Sequence, residues 1–163
     1  MQLKTSKGFT LVEVLMVMVI SLTIMGLAAV SLLRTKQITD INNSVGQIIS
    51  DINSQQLKAM VGATDGVLDS TPYGIFFTQG SYILFRGTSY SSTDSANTVI
   101  SLEENINISN ISFPSSTIVF SRQSGEVIGF NPSNNNLTIN DITSDEQRTI
   151  TINRYGVVTS ITQ

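Results

Sequence analysis

One acidic residue stands where acids are expensive. Glu13 lies inside an almost unbroken apolar run, residues 9–33, preceded by Lys4, Lys7 and Gly8. As a helix the run rises about 1.5 Å per residue. Its roughly 25 residues then reach about 37 Å, past the ~30 Å hydrocarbon core of a bilayer. A carboxylate at the middle of such a helix costs about 2.5 kcal/mol or more, so its default reading is a functional group with a partner. Lys4 and Lys7 ahead of the run would hold that end on the cytoplasmic side.

The rest of the chain offers acids and hydroxyls but no catalytic constellation. There is no Cys and no His. That excludes a disulfide framework, a thiolate nucleophile, an imidazole base and a lipid anchor on cysteine. Glu103 and Glu104 are adjacent, so in a strand they would point to opposite faces. Asp65, Asp69, Asp141, Asp145 and Glu146 offer the oxygen ligands that calcium prefers. No loop spaces them densely enough for a calcium loop, and solvated turns account for them. No metal, no cofactor and no enzymatic activity is expected. Beyond residue 33 there are seven basic and eleven acidic residues, with no basic cluster. Nucleic-acid binding by phosphate neutralisation is therefore not expected. The Asn-x-Ser/Thr triplets at Asn42, Asn107, Asn110 and Asn136 are what so Asn- and Ser-rich a chain produces by chance.

The elements that must position Glu13 can be read from periodicity. Ile38, Ile41, Val45, Ile48, Ile49, Ile52 and Met60 recur at three- and four-residue spacing. Thr39, Asp40, Asn42, Asn43, Gln47, Asp51 and Gln55 lie between them as a polar back. The pattern predicts one helix over residues 9–61. Its first half is apolar all round, facing lipid or other subunits; its second half is amphipathic and packs on its own chain. Gly62 is placed to cap its C-terminus, with Lys58 in the last turn facing the helix dipole. A break near Gly26 or Gly46 is the alternative. From residue 71 the pattern turns to short β-type runs: 73–77, 81–85, 98–102, 106–113, 117–120, 126–130, 137–142, 149–152 and 157–161. Gln79-Gly80, Ser124-Gly125, Asn131-Pro132-Ser133-Asn134 and Tyr155-Gly156 read as the turns between them. Residues 87–96 read as a polar exposed loop. Spacing near ten residues predicts antiparallel meanders, two small sheets wrapped on the helix.

The stretch Lys7-Gly8-Phe9-Thr10-Leu11-Val12-Glu13, with the apolar run behind it, resembles the prepilin leader and N-terminal helix of type IV pilins and pseudopilins. By that resemblance a prepilin peptidase cuts between Gly8 and Phe9 and N-methylates the new terminal Phe9. Glu13 falls where the family places its assembly glutamate. Gly8, having no side chain, lets the scissile bond lie extended in a tight protease site. Glu13 of an incoming subunit would neutralise the terminal ammonium of a neighbour, a pairing that offsets the burial of both charges at low dielectric. An ordinary signal peptide is cut after its apolar region, and Ala28-Ala29-Val30-Ser31 faintly suggests such a site. The run is too long for that reading, and Glu13 would be out of place in it.

The second half resembles, less sharply, the H-type minor pseudopilins of type II secretion. The similar residues are Tyr73-Gly74-Ile75-Phe76-Phe77, Tyr82-Ile83-Leu84-Phe85, Ile118-Val119-Phe120 with Gly125, and Ile150-Thr151-Ile152 with Gly156. The fold expected is α+β: a long N-terminal helix, transmembrane in its first half, packed against a C-terminal antiparallel β-rich head. The domains expected are a leader (1–8), a transmembrane and assembly helix (9–33), its amphipathic continuation (34–61) and the head (62–163). The function implied is a minor pseudopilin or pilin subunit of a secretion pseudopilus or type IV pilus. Its partners would be other pilin-type subunits, the prepilin peptidase, the inner-membrane assembly platform and membrane lipid. It would cross the inner membrane once, with the head outside the cytoplasm. The alternative is a membrane-tethered β-rich binding module, never cleaved and never assembled.

Overall fold

The computed structural model describes residues 8–63 and 71–163. The first element is a helix, α1, at Leu11–Val61. Neither Gly26 nor Gly46 interrupts it. Eight strands follow: β1 (Tyr73–Phe77), β2 (Ser81–Arg86), β3 (Thr98–Ser101), β4 (Ile106–Ile111), β5 (Thr117–Phe120), β6 (Asn136–Asp141), β7 (Gln147–Ile152) and β8 (Val158–Thr162). A 3₁₀ turn at Pro114–Ser116 leads into β5. This is an α+β, pilin-like arrangement. The chain divides into two compact units, one ending at Lys36 and the other running from Gln37 to Gln163.

In the first unit the helix is long and apolar enough over Leu11–Ala29 to cross a membrane. Every residue from 8 to 29 is exposed. An apolar helix with no buried face needs lipid or other helices around it.

In the second unit α1 ends where Gly62 adopts a left-handed conformation (φ 67°). The Ala63 amide donates to the Lys58 carbonyl at 2.9 Å. That six-residue closure is a Schellman cap, and glycine enters the left-handed region without a Cβ penalty. Ile41, Val45, Ile48, Ile52 and Ala59 of α1 are buried in one cluster with strand side chains such as Ile75, Phe77, Ile118, Ile139 and Ile150. Their alternating four- and three-residue spacing is the helical face expected from sequence. Two members of that pattern differ. Gln55, assigned to the polar back, lies on the buried face, 3 % exposed, with its Oε1 unpartnered. An unsatisfied buried amide costs about 1–3 kcal/mol. Each large apolar side chain on the same face contributes about 1.5–3 kcal/mol, so Ile41, Val45, Ile48 and Ile52 outweigh it. Met60, assigned to the apolar face, is 45 % exposed, because it is one residue round the helix from buried Ala59 and lies beside Gly125.

The strands form two four-stranded sheets, ordered β3-β2-β1-β5 and β4-β6-β7-β8. All pairings are antiparallel. The chain makes a meander through the first sheet, enters the second at β4, returns for β5 and finishes in the second. Burial alternates along β6 and β7, as strand geometry requires. Leu137 and Ile139 point inward with Ile150 and Ile152, while Asn136, Thr138, Thr149 and Thr151 face outward. Residues 126–130, expected as a strand, form only a single bridge, Phe120 to Val127. Gly125 just before them and Gly129 within them each have a φ of 67°, which turns the chain out of an extended path. The segment still joins the sheets: the Val127 amide donates to the Arg154 carbonyl and the Ile128 amide to the Val119 carbonyl.

Candidate processing and assembly site

Gly8 and Phe9 stand exposed ahead of the helix, and no atom outside the adjoining residues lies within 4 Å of where a Gly8 Cβ would be. A bond between two such residues is open to an enzyme. Helix α1 begins directly behind it, and its first turn carries the polar groups of the site. The Thr10 hydroxyl accepts a hydrogen bond from the Glu13 amide at 3.2 Å. Glu13 Oε2 accepts in return from the Thr10 amide and the Thr10 hydroxyl, each at 3.1 Å. This is a capping box: Thr at the N-cap, Glu three residues on, each satisfying a donor the helix leaves open. The carboxylate also sits at the positive end of the helix dipole.

The arrangement has a chemical consequence. A carboxylate that accepts two hydrogen bonds from its own chain loses less on entering an apolar medium than a bare one. Oε2 carries both bonds, so Oε1 has room for a further donor. Thr10 was not among the residues singled out from sequence, although the Thr-x-x-Glu spacing ahead of an apolar run is the signal that marks it. Lys4 and Lys7 lie outside the described residues.

A second constellation ties the head to the end of α1. Gln56 Nε2 donates to the Gly125 carbonyl at 2.9 Å and to the Tyr155 carbonyl at 2.5 Å. The Gln123 amide donates to the Ala59 carbonyl at 3.1 Å. One side chain thus holds the turn after β5 and the turn before β8. Asp51 accepts from the hydroxyl of buried Tyr82 at 2.5 Å. Burial, then the bond to Asp51 and its charge, push the Tyr82 hydroxyl well above its ordinary pKa.

Two of the acids considered for calcium, Asp141 and Glu146, are engaged elsewhere. Asp141 is fully buried, with Oδ1 accepting from the Thr143 and Ser144 amides and Oδ2 from the Asn105 side chain. It caps a turn. Glu146 pairs with Arg148 at 3.2 Å. Glu103 and Glu104 are exposed between β3 and β4, not in a strand. Asp65 and Asp69 lie outside the described residues. Among the described residues no three acids gather into a metal-binding group.

An apolar, membrane-length helix with a capped acidic first turn, followed by two antiparallel four-stranded sheets, is an α+β, pilin-like arrangement. The chain carries the prokaryotic N-terminal methylation motif over residues 3–29, the signature of type IV pilins and pseudopilins. Comparison with curated proteins and with solved structures gives no match.

Proposed function

We propose that this chain is a minor pseudopilin or pilin, made as a precursor and assembled from the inner membrane into a filament that serves protein secretion. Residues 1–8 are the leader, 9–33 the transmembrane and assembly helix, 34–61 its continuation and 62–163 the head. A prepilin peptidase cuts between Gly8 and Phe9 and methylates the Phe9 amine. Glu13 then meets the Phe9 ammonium of a neighbouring subunit, which sets the axial register between the two. Lys4 and Lys7 keep the leader in the cytoplasm, and the head lies on the other side of the membrane. The role is structural; the motor and the membrane platform are separate proteins. The observation that carries this reading is the methylation motif running into an exposed apolar helix whose first turn holds Glu13.

The experiment is intact-mass and N-terminal analysis of membrane-purified protein, with and without a prepilin peptidase. Loss of residues 1–8 plus one methyl group on Phe9 is the expected result. An intact Met1 beside a competent peptidase would make the chain a tethered binding module. Glu13→Ala separates the steps: processing persists and incorporation into filaments is lost.

A further inference from the structure

The last turn of α1 and the turn after β5 meet where one side chain is missing. Gly125 holds a left-handed conformation (φ 67°). A Cβ there would stand 2.6 Å from Met60 Cγ, 2.8 Å from Met60 Sδ and 3.2 Å from Gln56 Cγ. The two α1 side chains therefore fill the space that a larger residue would take. Polar contacts flank the thioether. Gln56 Nε2 donates to the Gly125 carbonyl at 2.9 Å, and the Gln123 amide to the Ala59 carbonyl at 3.1 Å. Met60 is 45 % exposed, so small solutes reach it from outside. The chain has no Cys, and its other methionines are Met1, Met16, Met18 and Met25. From Gln37 to Gln163 the Met60 sulfur is thus the only one, and sulfur is the atom that side chains oxidise reversibly by two electrons.

We propose that Met60 is an oxidation site, and that its sulfoxide releases the turn after β5 from the end of α1. The oxidant is hydrogen peroxide or another hydroperoxide. A sulfur lone pair attacks the peroxide, the O–O bond breaks and an S–O bond forms. Sulfur gives up two electrons, and the rest of hydrogen peroxide leaves as water. The product side chain is polar and bulkier where the parent was apolar and pliant. Its new oxygen is a strong acceptor that needs water. The Gly125 side has no room for it, since even a Cβ there would be 2.8 Å from the sulfur. Turning the sulfoxide out to solvent takes the side chain off Gly125. The bonds from Gln56 and Gln123 then lose their apolar cover, and the turn opens more often. The step reverses when a dithiol removes the oxygen as water and becomes a disulfide. The inference does not rest on the filament reading, because every contact it uses lies within the unit from Gln37 to Gln163.

The test uses the full chain in peroxide-free dodecyl maltoside micelles, with Met60→Leu beside it. Leucine keeps the apolar bulk and has no sulfur. Both proteins are treated with hydrogen peroxide. Peptide mass spectrometry reads oxidation at Met60 apart from Met16, Met18 and Met25. Hydrogen exchange reads the turn through the Gln123 and Gly125 amides, which donate to the Ala59 and Ser121 carbonyls. The expected result is an added oxygen on Met60, with exchange at these two amides about fivefold faster and exchange in β6 and β7 unchanged. A methionine sulfoxide reductase supplied with a dithiol should restore the parent rate. Treated Met60→Leu should exchange like its untreated form. The proposal fails if Met60 stays unoxidised at peroxide concentrations that convert free methionine. It also fails if the oxidised protein keeps the parent exchange at these amides, or if treated Met60→Leu quickens as much as the treated parent.

Discussion

Thr10 and Glu13 hold each other across the first turn of α1, with three hydrogen bonds between two residues. Thr10→Ala removes the hydroxyl from two of them and leaves only the backbone amide on Glu13. Loss of an N-cap hydroxyl costs a helix about 1 kcal/mol. Amide exchange at residues 11–14, measured in micelles, should quicken about fivefold. Thr10→Ser should restore the parent rate. Equal exchange in the Ala variant would show that the box does not hold in the membrane.

Gln56 is the second contact to break. Its Nε2 reaches the Gly125 and Tyr155 carbonyls from a single position on α1. Gln56→Leu keeps the bulk and removes both donors. The Gly125 carbonyl is partly buried and the Tyr155 carbonyl exposed, so the loss predicted is about 1–2 kcal/mol. Gly156→Ala attacks the same joint from the other side. Its Cβ would stand 2.6 Å from Gln56 Nε2 and 2.7 Å from the Phe120 ring, at a φ of 74° that favours glycine. Urea unfolding followed by tyrosine fluorescence should show both variants destabilised. Their double variant should lose less than the sum, because both act on one contact.

Much of the fold was legible because burial here follows period. The helical face at Ile41, Val45, Ile48 and Ile52 and the alternation in β6 and β7 are strong signals. Gly8, Phe9 and Glu13 are local in sequence, and the structure leaves all three exposed. What was not legible depends on tertiary partners. Gln55 and Gln56 are adjacent and chemically alike, yet one is buried without an acceptor-side partner and the other spans two turns. No pattern within α1 separates them, because the difference lies in residues more than sixty positions away. Residues 126–130 carry strand composition, but Gly125, Gly129 and the bond from Val127 to Arg154 decide their path.

Gly74 lies inside β1, where a glycine has no side chain to pack, and the structure gives it a purpose. A Cβ there would stand 2.5 Å from the Phe85 Cζ and 2.7 Å from the Ile118 carbonyl oxygen. The Phe85 ring therefore lies across the glycine, between β1 and β2. It also meets Tyr90 edge-on, with centroids 5.8 Å apart. Gly74→Ala should cost about 1–3 kcal/mol by overpacking. Adding Phe85→Leu should recover part of that loss but not all, since the Ile118 oxygen belongs to the backbone. Full recovery in the double variant would show that the ring alone sets the requirement.

Tyr82 gives the head a pH limit. Its hydroxyl is held above the ordinary value of about 10 by burial and by Asp51, so the folded state keeps the proton longer than the unfolded chain does. The unfolded chain therefore binds fewer protons once the pH passes about 10, and stability falls from there at about 1.4 kcal/mol per pH unit for this group. Below that pH its contribution is fully present and constant. Urea midpoints measured from pH 7 to 11 should be flat and then drop. Tyr82→Phe should start lower, because Asp51 loses its donor, but should decline less steeply above pH 10. Identical alkaline slopes for the two proteins would mean that the Tyr82 hydroxyl ionises as easily folded as unfolded, and the bond to Asp51 would then add little.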